Sequence, residues 1–199
     1  MKPRPAVIAI GGPPGAGKTT LTARLSSDLG IPRLSSDTIG RIITRSEGIR
    51  GGAVEAYWIA YDVLFGLCDE FVRAGGPAIL DINLGHDFQW QQLARLRERH
   101  PTALLLPLVL RCPRETCFAR IRGRHESAPD VWAPPERYTA DDEIVRVWDY
   151  LERLDRPDVR FIDAARSSDK VYDQIVGYLK PLLGVSPCHH EHNYHEGAR

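Results

Sequence analysis

The 199-residue chain has no excess of charge of either sign: 26 basic side chains stand against 26 acidic ones. With a sequence pI near 7.1 there is no global electrostatic footprint for a long duplex nucleic acid. No apolar stretch approaches the roughly 18 uninterrupted residues of a membrane-spanning helix. The start, Met1-Lys2-Pro3-Arg4-Pro5, runs straight into a short apolar segment and a glycine-rich loop, not into a cleavable signal. A soluble, cytoplasmic protein is expected. Cysteine is scarce: Cys68, Cys112, Cys117 and Cys188 show no paired C-x-x-C spacing, which excludes a disulfide-stapled scaffold and points to reduced thiols. Internal repeats are absent. Apolar residues at 43% and charged residues at 26% describe an ordinary globular chain, long enough for one sizeable core.

What is present begins with strand, loop and helix in direct succession. Ala6-Val7-Ile8-Ala9-Ile10 is a continuous apolar run, the pattern of a strand buried on both faces of a parallel sheet. Leu21, Leu25 and Leu29 recur at four-residue spacing and are followed by Gly30 and Pro32, which predicts an amphipathic helix with a definite stop. Between them lies Gly12-Pro13-Pro14-Gly15-Ala16-Gly17-Lys18-Thr19, a full match to G-x-x-x-x-G-K-[ST] in the required context. Such a loop turns backbone N–H groups toward phosphate oxygens, and the helix that follows adds its positive end. Pro13 and Pro14 have no N–H, so the donors are expected from Gly15 through Thr20. Lys18 is expected on the outer phosphates of ATP or GTP, and the Thr19 hydroxyl on Mg²⁺.

Downstream, the pattern keeps alternating. A short strand ends at Leu34-Ser35-Ser36, with Asp37 at the expected helix cap. Helices are predicted over 38–46 and 54–74, separated by the glycine-rich stretch 48–52. A strand over 77–81, a helix over 88–99 and a strand over 103–110, broken in character by Pro107, come next. The remainder reads as a helix over 113–123, a proline-rich loop over 125–138, an acidic helix over 141–155, a strand over 159–162 and a helix over 168–183. The expected fold class is α/β: a P-loop NTPase three-layer α/β/α sandwich with a five-stranded parallel sheet and a helical lid. Residues 1–184 would form one P-loop domain, with the lid at about 113–140, and residues 185–199 a flexible His-rich tail.

Several residues outside the loop carry chemistry. Asp37 follows strand two, Asp81 ends strand three in Ile79-Leu80-Asp81-Ile82-Asn83, and Arg111 to Arg124 is rich in arginine. With the P-loop, these features make the chain resemble the small AAA-type P-loop kinases, the group of polynucleotide kinase domains, zeta toxins and chloramphenicol phosphotransferase. The resemblance spans most of residues 6–183. It implies that Asp37 orients and deprotonates an acceptor hydroxyl, and that lid arginines close over the transferring phosphoryl group. Arg120 and Arg124, at i and i+4, are the candidates for the latter, and a solvated basic helix is the alternative. Asp37 has helix capping as its second reading. Asp81 is read as a magnesium ligand through water, as an acceptor contact together with Asn83, or as a structural turn residue. Polynucleotide kinases place an arginine three residues after the Asp, where this chain has Gly40; the nearest is Arg41, an acceptor contact or a surface residue.

Tyr57, Trp58, Tyr61 and Trp132 are read as packing residues in preference to a stacking platform for an acceptor. His125 reads as a surface histidine. The tail from Cys188 holds four of the seven histidines, which admits a metal site or a solvated terminus. The expected activity is ATP-dependent, Mg²⁺-requiring transfer of the γ-phosphoryl group to a hydroxyl of a small molecule such as a nucleoside, sugar or antibiotic. A polynucleotide 5′-hydroxyl kinase is the alternative acceptor class. A nucleotide-dependent switch or binding protein with weak ATPase activity is the alternative of another kind.

Overall fold

A computed structural model describes residues 4–46, 53–130 and 133–184. Five strands, β1 (Ala6–Gly11), β2 (Arg33–Ser35), β3 (Ala78–Asp81), β4 (Leu104–Arg111) and β5 (Arg160–Asp163), form one all-parallel sheet in the order β2-β3-β1-β4-β5. The helices are α1 (Lys18–Leu29), α2 (Ser36–Arg45), α3 (Ala53–Arg73), α4 (Asp87–Arg99), α5 (Arg114–Ser127), the single turn α6 (Arg137–Ala140), α7 (Asp142–Arg153) and α8 (Ser168–Leu183). The glycine-rich stretch 48–52, Trp132 and the tail 185–199 lie outside the described residues.

The central strand shows why the chain layers as it does. Successive residues of a strand face opposite ways, and every residue of β1 is buried. Ala6, Ile8 and Ile10 enter a core with Leu21, Leu25, Ile175 and Leu179 of α1 and α8. Val7 and Ala9 enter another with Leu64, Phe65, Leu93 and Leu96 of α3 and α4. The three-layer fold follows from a strand that is apolar on both faces. Pro107 does not break β4: it stands opposite Ala9, one position before the β4–β5 pairing begins at Leu108. A missing N–H is tolerated where no partner strand yet requires it.

Two helix boundaries correct the sequence reading. The cap of α2 is Ser35, whose Oγ accepts from the Thr38 N–H at 3.4 Å, so Asp37 is not a cap but the second residue of the helix. Helix α5 continues past residue 123 to Ser127, which carries Arg124 onto regular helix. Helix α7 is capped by Asp141, whose Oδ1 accepts from the N–H groups of Glu143 and Ile144. Away from the sheet edge, Asp69 of α3, only 4% exposed, ties that helix to the end of α4. It lies 3.1 Å from Arg99 Nη1 and 3.0 Å from His100 Nε2, with Arg73 on its other oxygen. Burial opposes its charge, yet His100, Arg99 and Arg73 together hold the carboxyl below the ordinary range.

The turn after β3 brings the sheet to the site. Leu84 has φ of 56°, a left-handed conformation costly for a leucine, and is fully buried. The Asn83 Oδ1 accepts from the Gly85 N–H at 2.8 Å, and the Leu84 carbonyl accepts from the Trp90 Nε1–H at 3.2 Å. Gly85 is then pressed against α7: a Cβ there would stand 2.6 Å from Val147 Cγ1. Gly85→Ala is expected to cost about 1–3 kcal/mol by overpacking, and adding Val147→Ala is expected to recover part of the loss. Urea denaturation of the single and double variants measures this. Strictly additive losses would show that the contact does not hold α7 in place.

Candidate active site

The P-loop leaves β1 at Gly11 and enters α1 at Lys18. Gly12, Gly15 and Gly17 have φ of 148°, 81° and 93°. At Gly15 the conformation and the space agree, because a Cβ would stand 2.6 Å from the Cys117 carbonyl oxygen. The Gly12 N–H donates to the Asn83 carbonyl at 2.9 Å, which fastens the start of the loop to the turn after β3. The Ala16 N–H donates to the Pro13 carbonyl at 3.2 Å and closes a turn, so it leaves the donor set expected from Gly15 through Thr20. The N–H groups of Lys18, Thr19 and Thr20 are first-turn donors of α1 without intrahelical acceptors, and the cap Gly17 has no side chain to take them. They are the positive end of a helix aimed at the cleft.

Lys18 Nζ donates to the carbonyls of Gly12 at 2.7 Å and Pro13 at 3.0 Å. Burial lowers its pKa, Asp81 and Asp37 oppose the shift, and Arg124 adds to it. These four residues therefore share one electrostatic site. Asp81, 5% exposed, is not an isolated carboxylate: Arg33 Nη2 donates to its Oδ2 at 2.6 Å, and Arg33 Nε donates to Thr22 Oγ1 at 2.8 Å. Arg33 follows Pro32 at the start of β2 and belongs to no motif, so nothing in the sequence singled it out.

A cleft of about 340 Å³ opens over the loop. Its floor is Gly15, Gly17, Lys18, Thr19 and Thr20. Facing them are Ser36 and Asp37 of α2, Tyr57 and Tyr61 of α3, Asn83 and His86 from the turn after β3, Arg124 of α5, and Glu143 of α7. Asp37, Asp81, Asn83 and Arg124 are thus brought together with the loop, as the sequence suggested. Arg41 is not: its Nε donates to the Asp37 carbonyl at 3.3 Å and its Nη2 to Thr38 Oγ1 at 3.3 Å, folding the guanidinium back on its own helix. Tyr57 and Tyr61 pack in an edge-to-face cluster with Phe88, as expected of packing residues, but both also line the cleft. Ser36, His86, Tyr138 and Glu143 were not foreseen, since each is an ordinary polar residue made relevant only by long-range packing.

A second cavity of about 440 Å³ adjoins the other side of the loop, lined by Gly15, Gly17, Thr20, Arg120, Arg124 and Arg166 among others. Arg120 belongs here: its Nη1 lies 3.6 Å from Cys112 Sγ and its Nη2 donates to the Arg166 carbonyl at 3.3 Å. Of the two arginines paired by spacing, Arg124 alone lines both cavities. Burial pushes the Cys117 thiol beneath the loop up to about 12, so it is no nucleophile. Among the described residues no cluster of histidine, cysteine and carboxylate side chains is arranged to hold a metal, and no helix is long and apolar enough to cross a membrane.

His86 Nε2 lies 3.4 Å from Glu143 Oε1 without a well-aligned hydrogen bond. Burial pulls its pKa below the ordinary 6.5, against the opposing pull of Glu143 and Asp87. A lowered folded-state pKa means that the unfolded chain takes up the proton first. The stability tied to neutral His86 is therefore complete above the ordinary pKa and is lost as pH falls through it toward the folded value. Between about pH 8 and about pH 5 the His86→Gln variant is expected to lose less stability than the parent chain. Equal losses in urea titrations at the two pH values would remove this contribution.

Known proteins match this architecture. A family model described as an AAA domain matches residues 7–140. The chain is 28% identical to an adenylate kinase of Kocuria rhizophila over 189 residues, covering 87% of this chain and 98% of the relative. Among solved structures, a gluconokinase from Sinorhizobium meliloti superposes with a TM-score of 0.59 at 18% identity, covering 90% of this chain and 94% of that one. The tunicamycin resistance protein of Deinococcus radiodurans does so with a TM-score of 0.59 at 20% identity, covering 88% and 96%. With its phosphate loop, parallel sheet and cleft as described, the chain belongs to the AAA domain family and is a P-loop kinase of that type.

Proposed function

We propose that the protein transfers the γ-phosphoryl group of ATP, with Mg²⁺, to a hydroxyl of a small-molecule acceptor in the cytoplasm. The observation that carries this reading is the position of Asp37, an exposed carboxylate on the first turn of α2 that lines the same cleft as Lys18 and Thr19. A hydroxyl acceptor needs a base to orient it and accept its proton as the new P–O bond forms. A phosphate acceptor needs none, and a carboxylate would repel it. The similarity to an adenylate kinase supports ATP as donor, whereas Asp37 favours an alcohol over a phosphorylated acceptor like adenylate.

The donor half is assigned as follows. The phosphates rest on the N–H groups of Gly15, Gly17, Lys18, Thr19 and Thr20, with the Lys18 ammonium on the outer pair. The nucleoside occupies the cavity beside Arg120 and Arg166. Arg124, shared by both cavities, faces the group in transfer. The oxygen donors Thr19 and Asp81 fit a hard cation, which when bound neutralises phosphate charge; Asp81 acts through water, since Arg33 already holds one of its oxygens. Asn83 is held to Gly85 and presents its remaining polar group to the acceptor.

A polynucleotide end is disfavoured on specific grounds. Position 40 is glycine, its absent Cβ 3.8 Å from Ala60 Cβ in the α2–α3 contact, and Arg41 is folded back on α2. Acceptor-dependent ADP release across metabolites and oligonucleotides tests the proposal, and slow, acceptor-independent release would indicate a nucleotide switch instead. Lys18→Ala is expected to abolish turnover. Asp37→Asn is expected to lower kcat by about 10²–10⁴-fold with little change in ATP affinity. Unchanged kcat in Asp37→Asn would overturn the base assignment.

A further inference from the structure

We infer that the acceptor is a polyhydroxy compound carrying an amine, with Glu143 selecting the cation and Tyr57 meeting one of the hydroxyls. The inference rests on the proposed kinase activity but makes its own claim about the acceptor half of the cleft. That half is electrostatically one-sided. Of the charged side chains and the histidine that line the cleft, Lys18, Asp37, Asp81, His86, Arg124 and Glu143, the two fixed cations stand on the phosphate side. Lys18 is seated on loop carbonyls, and Arg124 also lines the nucleotide cavity. Asp81 is compensated by Arg33. What faces the acceptor is Asp37, Glu143 and a His86 whose burial favours the neutral ring.

Glu143 is poorly compensated. Its side chain is 57% exposed, and the one guanidinium near it, that of Arg146, is 3.9 Å away and 76% exposed. Such a pair contributes little. The N-terminus of α7 would by itself attract an anion, but Asp141, Asp142 and Glu143 occupy its cap and first turn, and Asp141 already takes two of the N–H groups. A phosphate or carboxylate on the acceptor would meet two carboxylates and, among the described residues that line the cleft, no cation beyond Lys18 and Arg124. An ammonium group would meet Glu143 and Asp37, both favourable to a cation.

Tyr57 supplies the second recognition element. Its Oη is buried without a well-aligned hydrogen bond among the described residues, although Tyr61 and Asn83 lie close enough to favour its ionised form. Burial raises its pKa, Tyr61 and Asn83 oppose the shift, and Glu143 and Asp37, which line the same cleft, add to it. An unpartnered buried hydroxyl costs free energy until a ligand pairs with it. A hydroxyl of the acceptor next to the one held by Asp37 would do so.

The test is equilibrium binding by titration calorimetry to the full chain with Mg²⁺ and a non-hydrolysable ATP analogue. The probes are matched trios: a hexose, the corresponding hexosamine and the corresponding hexuronate, and the same substituents on an inositol ring. The amine is expected to bind at least about tenfold tighter than the neutral compound, and the acid more weakly than either, with differences that shrink as salt is raised. Glu143→Gln is expected to bring the amine-to-neutral ratio close to one, and Glu143→Lys to reverse the order. Tyr57→Phe is expected to weaken amine and neutral members alike. Equal binding within both trios, absence of amine binding, preference for the acid, or a ratio unmoved by Glu143→Gln would each overturn the inference. Amine binding with no ADP release in the presence of ATP would instead sink the kinase reading and leave the acceptor assignment standing. Turnover of the acid member ahead of the amine would do the reverse.

Discussion

Where the P-loop glycines have hydrogen, neighbouring elements have atoms. A Cβ at Gly11 would stand 2.6 Å from Leu84 Cβ, one at Gly12 would stand 2.9 Å from Leu110 Cβ, and one at Gly15 would stand 2.6 Å from the Cys117 carbonyl. The loop is therefore pressed from the β3 side, the β4 side and the α5 side at once, and the N–H groups left once Gly12 and Ala16 are paired have the cleft to face. Gly17 is the exception: nothing lies within 4 Å of a Cβ there, and the residue lines both cavities. The same contacts position what surrounds the loop. Seating α5 on Gly15 sets the height of Arg120 and Arg124. Seating Leu84 on Gly11 in a left-handed conformation turns Asn83 and His86 into the cleft. Gly85 then lets Val147 approach and fixes the register of α7, and with it Glu143.

Charge follows the same geometry. Placing Lys18 in a half-buried cleft penalises its ammonium, and the carboxylates of Asp81 and Asp37 offset the penalty. Asp81 could not remain buried alone, and the Arg33 fork supplies the partner while reaching Thr22 on α1. This small network joins β2, β3 and α1 beneath the phosphate site. Asp37 has no such guanidinium partner among the described residues, which suits the base role proposed for it.

The fold and the donor half were legible because their signals are local. The apolar run of β1, the four-residue spacing of α1 and the complete Gly12 to Thr19 motif each occupy one contiguous stretch. The five strands fell within one or two residues of their observed limits for the same reason. Errors came where local rules compete. Asp37 and Ser35 are both good caps, and the extended conformation of Ser35 at the end of β2 decided between them. Pro107 reads as a strand breaker until its register shows that no N–H is required there. Arg120 and Arg124 share a helix face, but a spacing cannot tell which of two cavities a face overlooks. Much of the acceptor half beyond Asp37 and Asn83 was illegible for a deeper reason: Ser36, His86, Tyr138 and Glu143 come from four separate segments and meet only in three dimensions.

That division has a chemical counterpart in Arg124. The donor half is made of backbone and invariant physical demands, since any triphosphate needs convergent N–H groups and compensating cations. The acceptor half is made of side chains on α2, α3, α7 and one turn, which can change without disturbing the sheet. Arg124 is the charged lid residue that lines both cavities, and it bears on the ionisation of Lys18. In the proposed reaction its guanidinium would stand at the boundary that the phosphoryl group crosses, between the nucleotide on one side and the acceptor on the other. A cation there is most valuable when charge is shared between the two. The α5 helix meets the loop at Gly15 through the Cys117 carbonyl, while its Phe118 stacks on Trp148 and its Arg114 pairs with Asp149 of α7. Its placement therefore answers to the phosphate loop and to the helix that carries Glu143 together.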